Sequence, residues 1–117
     1  MVSVMDVAAA AMRLARQAVA VDANDLANLD TPGFRGELLR WQDALAQAAR
    51  QGPGALAAVT GTPVVAPGVR APDGNGVSLV ATMADLARDQ TLAGVAAQAL
   101  LAAAGMDRAA VAFTAAP

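Results

Sequence analysis

A seam of small apolar residues opens this chain and stops abruptly. Val4, Val7, Ala11, Leu14, Ala18 and Val21 recur alternately three and four residues apart, the spacing of a helix that packs along one narrow stripe. In the same register the stripe reaches Asp25 and Asn28, so it turns polar in its last two turns. Asn24 and Asn28, four apart, share a helix face and place amide donors and acceptors where a core helix would carry leucine. Thr31-Pro32-Gly33-Phe34 follows. Pro32 pre-sets the φ wanted at the second position of a tight turn, and Gly33 supplies the positive φ that a type II turn needs next. The reading is a helix over about residues 2–28, roughly 40 Å long at 1.5 Å per residue, and a turn over 29–35.

Beyond the turn, Leu38, Trp41, Leu45 and Ala49 return at helical spacing, which predicts a short amphipathic helix over about 36–50 anchored by Trp41. Residues 51–76 hold four Pro and six Gly, a density of breakers that predicts an irregular segment, with Val64-Val65 its only strand-like pair. Asp73-Gly74-Asn75-Gly76 is a turn signal, and Ser78 can cap a last helix over about 78–113. That helix carries two seams in shifted phase, first Leu79, Met83 and Leu86, then Leu92, Val95, Ala99, Ala102, Met106, Ala109 and Phe113. The pattern therefore predicts an all-α chain and one domain over 1–117. Two long, coiled-coil-like terminal helices and a short helix are joined by a Pro/Gly-rich middle. The terminal helices have two ways to cover their seams, as an antiparallel pair or against other subunits.

Composition narrows the chemistry. The chain has no Cys, His, Tyr or Lys, which removes disulfides, thiolate and imidazole metal ligands, the commonest general base and Schiff-base catalysis. Asp22 with Asp25, and Asp85 with Asp89, stand at helical i,i+3 and i,i+4 spacing. With nothing beside them to complete a metal site or triad, they are expected to be solvated helix faces. No catalytic residue, cofactor, metal or small-molecule substrate is expected. The net charge of −2 is spread evenly, so nucleic acid has no basic stripe to bind. Thr91–Met106 is uncharged but short, Ala-rich and flanked by Asp89 and Asp107, and no membrane span is expected. No cleavable signal peptide is recognisable at the N-terminus.

The string Asn24-Asp25-Leu26-Ala27-Asn28-Leu29-Asp30-Thr31-Pro32-Gly33-Phe34-Arg35 resembles the A-N-N-I-A-N-x-x-T-P-G-(Y/F)-(R/K) signature of bacterial flagellar rod and hook proteins. Asp73-Gly74-Asn75-Gly76-Val77, with Met83, Leu86-Ala87 and Asp89, is similar to the D-G-N-x-V…M…L-A-x-N pattern of the proximal-rod branch, the FlgB family. Arg108-x-Ala110-Val111 is similar to that branch's R-x-A-I. The chain departs from the pattern at Asp25, where a second Asn is usual, and at Thr82, where Glu is common. It departs again at Ser78 in place of an acidic residue, at Asp89 in place of Asn, and at Ala93 in place of Tyr.

The resemblance implies a structural subunit. Such a protein would pass unprocessed through the flagellar type III export apparatus and assemble in the periplasm as part of the basal-body rod. Its terminal helices would pack with other copies, with the rod proteins FlgC, FlgF and FlgG, and with the basal-body protein FliE. Asn24, Asn28, Thr31, Pro32, Gly33 and Phe34, with Asp73, Gly74, Asn75 and Val77, are then motif residues shaping turns at a subunit interface. The alternative is a soluble helical hairpin, an adaptor or chaperone-like module whose alanine seams grip one partner helix.

Overall fold

The computed structural model describes residues 2–115. Helix α1 (Val4–Ala27) begins at a reciprocal cap: Ser3 Oγ accepts from the Asp6 amide at 3.1 Å, and the Asp6 carboxylate accepts from the Ser3 amide at 3.1 Å. Next come strand β1 (Glu37–Leu38), helices α2 (Trp41–Gln51) and α3 (Pro53–Ala58), strand β2 (Val64–Val65) and the long helix α4 (Leu79–Ala115). The chain is mostly helical, with α1 and α4 as its long elements. At 37 residues, α4 spans roughly 55 Å, and the molecule measures 72 × 25 × 14 Å.

α1 and α4 pack antiparallel. The Asp22 end of α1 lies beside Asp85 and Asp89, the Leu14–Ala18 region beside Leu92 and Ala93, and Met5 to Ala10 beside Leu100. On α4 the buried residues are Thr82, Asp89, Ala96 and Ala103, seven apart, with Leu86, Ala93 and Leu100 half-buried between them. This seam runs one residue later than the periodicity of large side chains suggests. Leu92 and Ala99 are half-buried, while Val95, Met106 and Phe113 are 59%, 71% and 84% exposed. Size explains the shift: alanine and threonine let helix axes approach closely, and Val95, Met106 and Phe113 turn outward. On α1, Leu14 and Ala18 are buried, Val7, Ala11 and Val21 half-buried, and Val4 exposed. The side chains of Ala110 and Val111 lie outside those described.

Two expectations for the middle of the chain are corrected. Residues 36–40 do not begin a helix. They run extended across the end of α1, where Glu37 pairs with Val65 and Leu38 with Val64 in an antiparallel ladder, and α2 starts at Trp41. The Glu37 amide is already committed to the Asp25 carboxylate, at 3.0 and 3.1 Å to its two oxygens, which favours extended backbone there. Nor is 51–76 free of helix. Pro53 sits in the first turn of α3, where its missing N–H costs nothing, and Leu56 is 1% exposed against Ala10 and Ala48.

Side chains of α1 pin this segment. Arg13 donates to the carbonyls of Leu56 (2.7 Å) and Ala57 (3.1 Å), which lie in the last turn of α3 and lack intrahelical partners. Gln17 pairs with the peptide groups of Gly61, donating to its carbonyl at 2.7 Å and accepting from its amide at 3.0 Å. The large apolar residues concentrate where α1, α2 and the 39–59 region meet, around Leu14, Leu39, Trp41 and Leu56. Leu56→Ala should cost about 2–4 kcal/mol, as truncating a buried leucine typically does. Urea unfolding would measure the loss, and limited proteolysis should show new cleavage between residues 52 and 61.

Candidate functional site

The two turn motifs, more than forty residues apart, form one joint. Thr31–Phe34 is a tight turn closed by the Phe34 amide donating to the Thr31 carbonyl at 3.2 Å, with Gly33 at φ +75°. The second motif is built from consecutive side-chain turns: the Asn75 amide donates to Asp73 Oδ1 at 3.0 Å, and the Val77 amide donates to Asn75 Oδ1 at 2.8 Å. That is the physical content of the D-x-N-x-V spacing, since each acceptor side chain captures the amide two residues on.

Asn75 then ties the motifs together. Its Nδ2 donates to the carbonyls of Asn28 (2.9 Å) and Thr31 (2.7 Å), and its side chain is almost wholly buried. Backbone bonds flank it, from the Gly33 amide to the Asp73 carbonyl at 3.0 Å and from the Gly76 amide to the Phe34 carbonyl at 2.8 Å. Gly74, at φ +83°, lies so close that a Cβ there would stand 3.3 Å from Gly33 Cα. Both glycines sit at positive φ, which residues with side chains rarely adopt; Gly33 has open space around it, so its constraint is the backbone conformation alone, whereas Gly74 adds the close approach. Asn28 and Thr31 stiffen the α1 side, Asn28 Nδ2 donating to the Asn24 carbonyl at 2.8 Å and Thr31 Oγ1 to Asn28 Oδ1 at 3.1 Å.

A buried carboxyl group lies next to the joint. Asp22 and Asp25 on α1 and Asp89 on α4 are each at most 4% exposed, so they are not the solvated faces their spacing suggests. Asp89 Oδ1 accepts from the Trp41 indole N–H at 3.1 Å. Burial, then the hydrogen bond and charge of Asp89, then the charges of Asp85 and Asp25, push the Asp22 carboxyl up to about 8. Burial also raises Asp25, against the lowering effect of the Glu37 amide bond; the charges of Glu37 and Asp85 add to the rise. Among the described residues no acidic group is arranged to hold a metal ion.

The third feature is the outer face. Val80, Val95, Leu101, Met106 and Phe113 of α4 are exposed, and from Gly105 onward every residue whose side chain is described is exposed. An open groove of about 550 Å³ runs beside it, where Val4, Val7, Trp41, Leu45, Leu92 and Val95 meet. Among the described residues no helix is long and apolar enough to cross a membrane.

The structure thus brings Asn28, Thr31, Gly33, Phe34, Asp73, Gly74, Asn75 and Val77 together, with Asn24 taking part through its carbonyl and Pro32 exposed at the tip of the turn. Sequence reasoning missed that Asn75 bridges the motifs and that Asp22 and Asp89 meet in the interior. The seam turning polar at Asp25 was the available signal for the second. Asn75→Ala should destabilise by about 3 kcal/mol, because two carbonyls and an amide lose buried partners. Asn75→Asp should be no better, since it keeps the acceptor for Val77 but sets an oxygen against the Asn28 and Thr31 carbonyls. Thermal unfolding, with exchange rates of the Gly76 and Val77 amides, would check both.

Residues 5–35 match the family model described as flagella basal body rod protein, a segment made of α1 and the turn that ends it. No curated protein matches the chain. The matched segment includes the α1 half of the joint, and over it the chain is similar to the flagella basal body rod proteins.

Proposed function

We propose that this chain is a structural subunit of the bacterial flagellar basal-body rod, of the proximal, FlgB-like kind, packing through α1 and α4 against copies of itself and against other rod proteins. The observation that carries the reading is the combination of the rod-family match over α1 with an α4 that leaves several bulky apolar residues exposed. In the monomer the inner seam is largely alanine, while Val95, Leu101, Met106 and Phe113 stand in water. Val95, Met106 and Phe113 fall on one face of α4 at helical spacing, and exposed apolar side chains lined up in that way form a contact surface for a partner. Neighbouring rod subunits would cover it by lateral helix packing.

On this reading the protein belongs in the periplasmic basal body, reached through the flagellar export apparatus, with FlgC, FlgF, FlgG and FliE as partners. The joint of Asn75 with the Thr31–Phe34 turn holds α1 and α4 in fixed register, so that each subunit offers its neighbours the same surface.

The helical-adaptor reading has the groove beside Trp41 in its favour. The two separate by hydrogen exchange on the isolated chain. An adaptor protects the length of α1 and α4 by itself, whereas a rod subunit has mobile termini that gain protection only on assembly.

Co-assembly with purified FliE and the other rod proteins, followed by light scattering and electron microscopy, is the direct test. Met106→Asp and Phe113→Asp should leave the helix content of the isolated chain unchanged, because both side chains are exposed, and should abolish co-assembly. Gly33→Val should impair rod assembly and motility by disturbing the turn. No interaction of the wild-type chain with any rod protein would overturn the proposal.

A further inference from the structure

The carboxyl group at the polar end of the helix pair has no structural partner that would let all its members stay ionised. Among the described residues the one ion pair is Arg88 with Asp85, at 3.3 Å, with the Arg88 side chain largely in solvent. Asp22 is 3% exposed and Asp89 4% exposed, and the buried Asp22 Oδ2 accepts no hydrogen bond from any donor. The charged groups facing Asp22 are all acidic, Asp85 and Asp89 from α4 and Asp25 from its own helix. Glu37 of β1 faces Asp25 in turn, and α2 contributes only the neutral Trp41 indole, bonded to Asp89. Two buried carboxylates in contact cannot both be charged at modest cost.

We propose that Asp22 and Asp89 share a proton, Asp22 donating it to Asp89, and that this proton makes closure of the α1–α4 pair pH-dependent. The shared proton satisfies the otherwise orphaned Asp22 oxygen and removes one of two adjoining negative charges. It leaves Asp89 free to accept from Trp41. The same geometry raises the Asp22 carboxyl from its ordinary 3.8 to about 8. The sign follows directly. Between those values the folded chain keeps a proton that the unfolded chain has lost, so stability is fully present below 3.8 and falls as pH rises towards about 8. Within the window the folding equilibrium constant should fall about tenfold per pH unit for this one proton. The helix pair is tightest in acid and loosest in mild alkali.

Trp41 is the chain's one tryptophan, and its indole N–H touches the pair, so its emission reports directly. In the wild-type chain the urea midpoint should drop steadily from pH 5 to pH 8.5, and Trp41 emission should change with a midpoint near 8. Asp22→Asn mimics the protonated acid, with its amide donating to Asp89. It should flatten both profiles and raise the urea midpoint at pH 8.5 above wild type. Asp89→Asn is the second variant: its amide can donate to an ionised Asp22 while its oxygen still accepts from Trp41, so the emission step should move at least a full pH unit towards acid. A flat wild-type profile from pH 6 to 9, or a wild-type step that persists unchanged in either variant, would overturn the proposal.

Discussion

One buried amide organises this molecule. The Asn75 side chain donates to two carbonyls where α1 ends and accepts from the amide that leads into α4. A neutral side chain that makes three short hydrogen bonds while almost fully buried forgoes nothing it had in water, and it has no freedom to make them in another register. The position of α4 along α1 is therefore set at one end by directional bonds. Apolar contacts alone would leave it loosely defined, because successive alanines present nearly identical surfaces. The Gly33–Gly74 approach adds a steric condition to the directional one.

The rest of the structure compensates for a shortage of large side chains. Leu14 and Leu56 are the largest fully buried residues, and alanine fills most of the seam between the long helices. Small residues gain less from burial than leucine or phenylalanine do, and what they gain depends on close approach. Polar side chains take up part of the task. Arg13 and Gln17 reach the backbone of the 56–61 region, Asp25 holds the Glu37 amide, and the Trp41 indole reaches Asp89. Each joins α1 or α4 to the 37–61 region.

Much of this was legible in the sequence, and the reasons for the remainder are physical. The length and end of α1, the turn at Pro32-Gly33 and the Ser78 start of α4 rest on local signals, periodicity, fixed φ and capping, which act over a few residues. What a single strand of text does not display is the pairing of distant polar groups. Glu37 and Leu38 carry a helical pattern, yet Asp25 draws them into an extended path. Residues 53–58 sit among breakers, yet Leu56 and the reach of Arg13 hold a helical turn. On α4, hydrophobicity pointed to Val95 and Met106, whereas steric fit selected Ala96 and Ala103. Asp25, Thr82, Asp89 and Ala93, four positions that depart from the resembled rod pattern, lie on the faces where α1 and α4 meet. These four departures thus form a spatially coherent set, while the fifth, Ser78, is exposed at the start of α4.

The joint also gives the helix pair a mechanical polarity. It closes the pair at the Asn28–Val77 end, while at the other the start of α1 lies beside Leu100 of α4. A load that separates those two ends peels the alanine contacts one turn at a time. A load that slides the helices past one another strains the Asn75 bonds and the whole seam at once. The same contacts make a weak zipper and a strong lap joint, and a helix pair built this way opens easily from one end while resisting shear along its length.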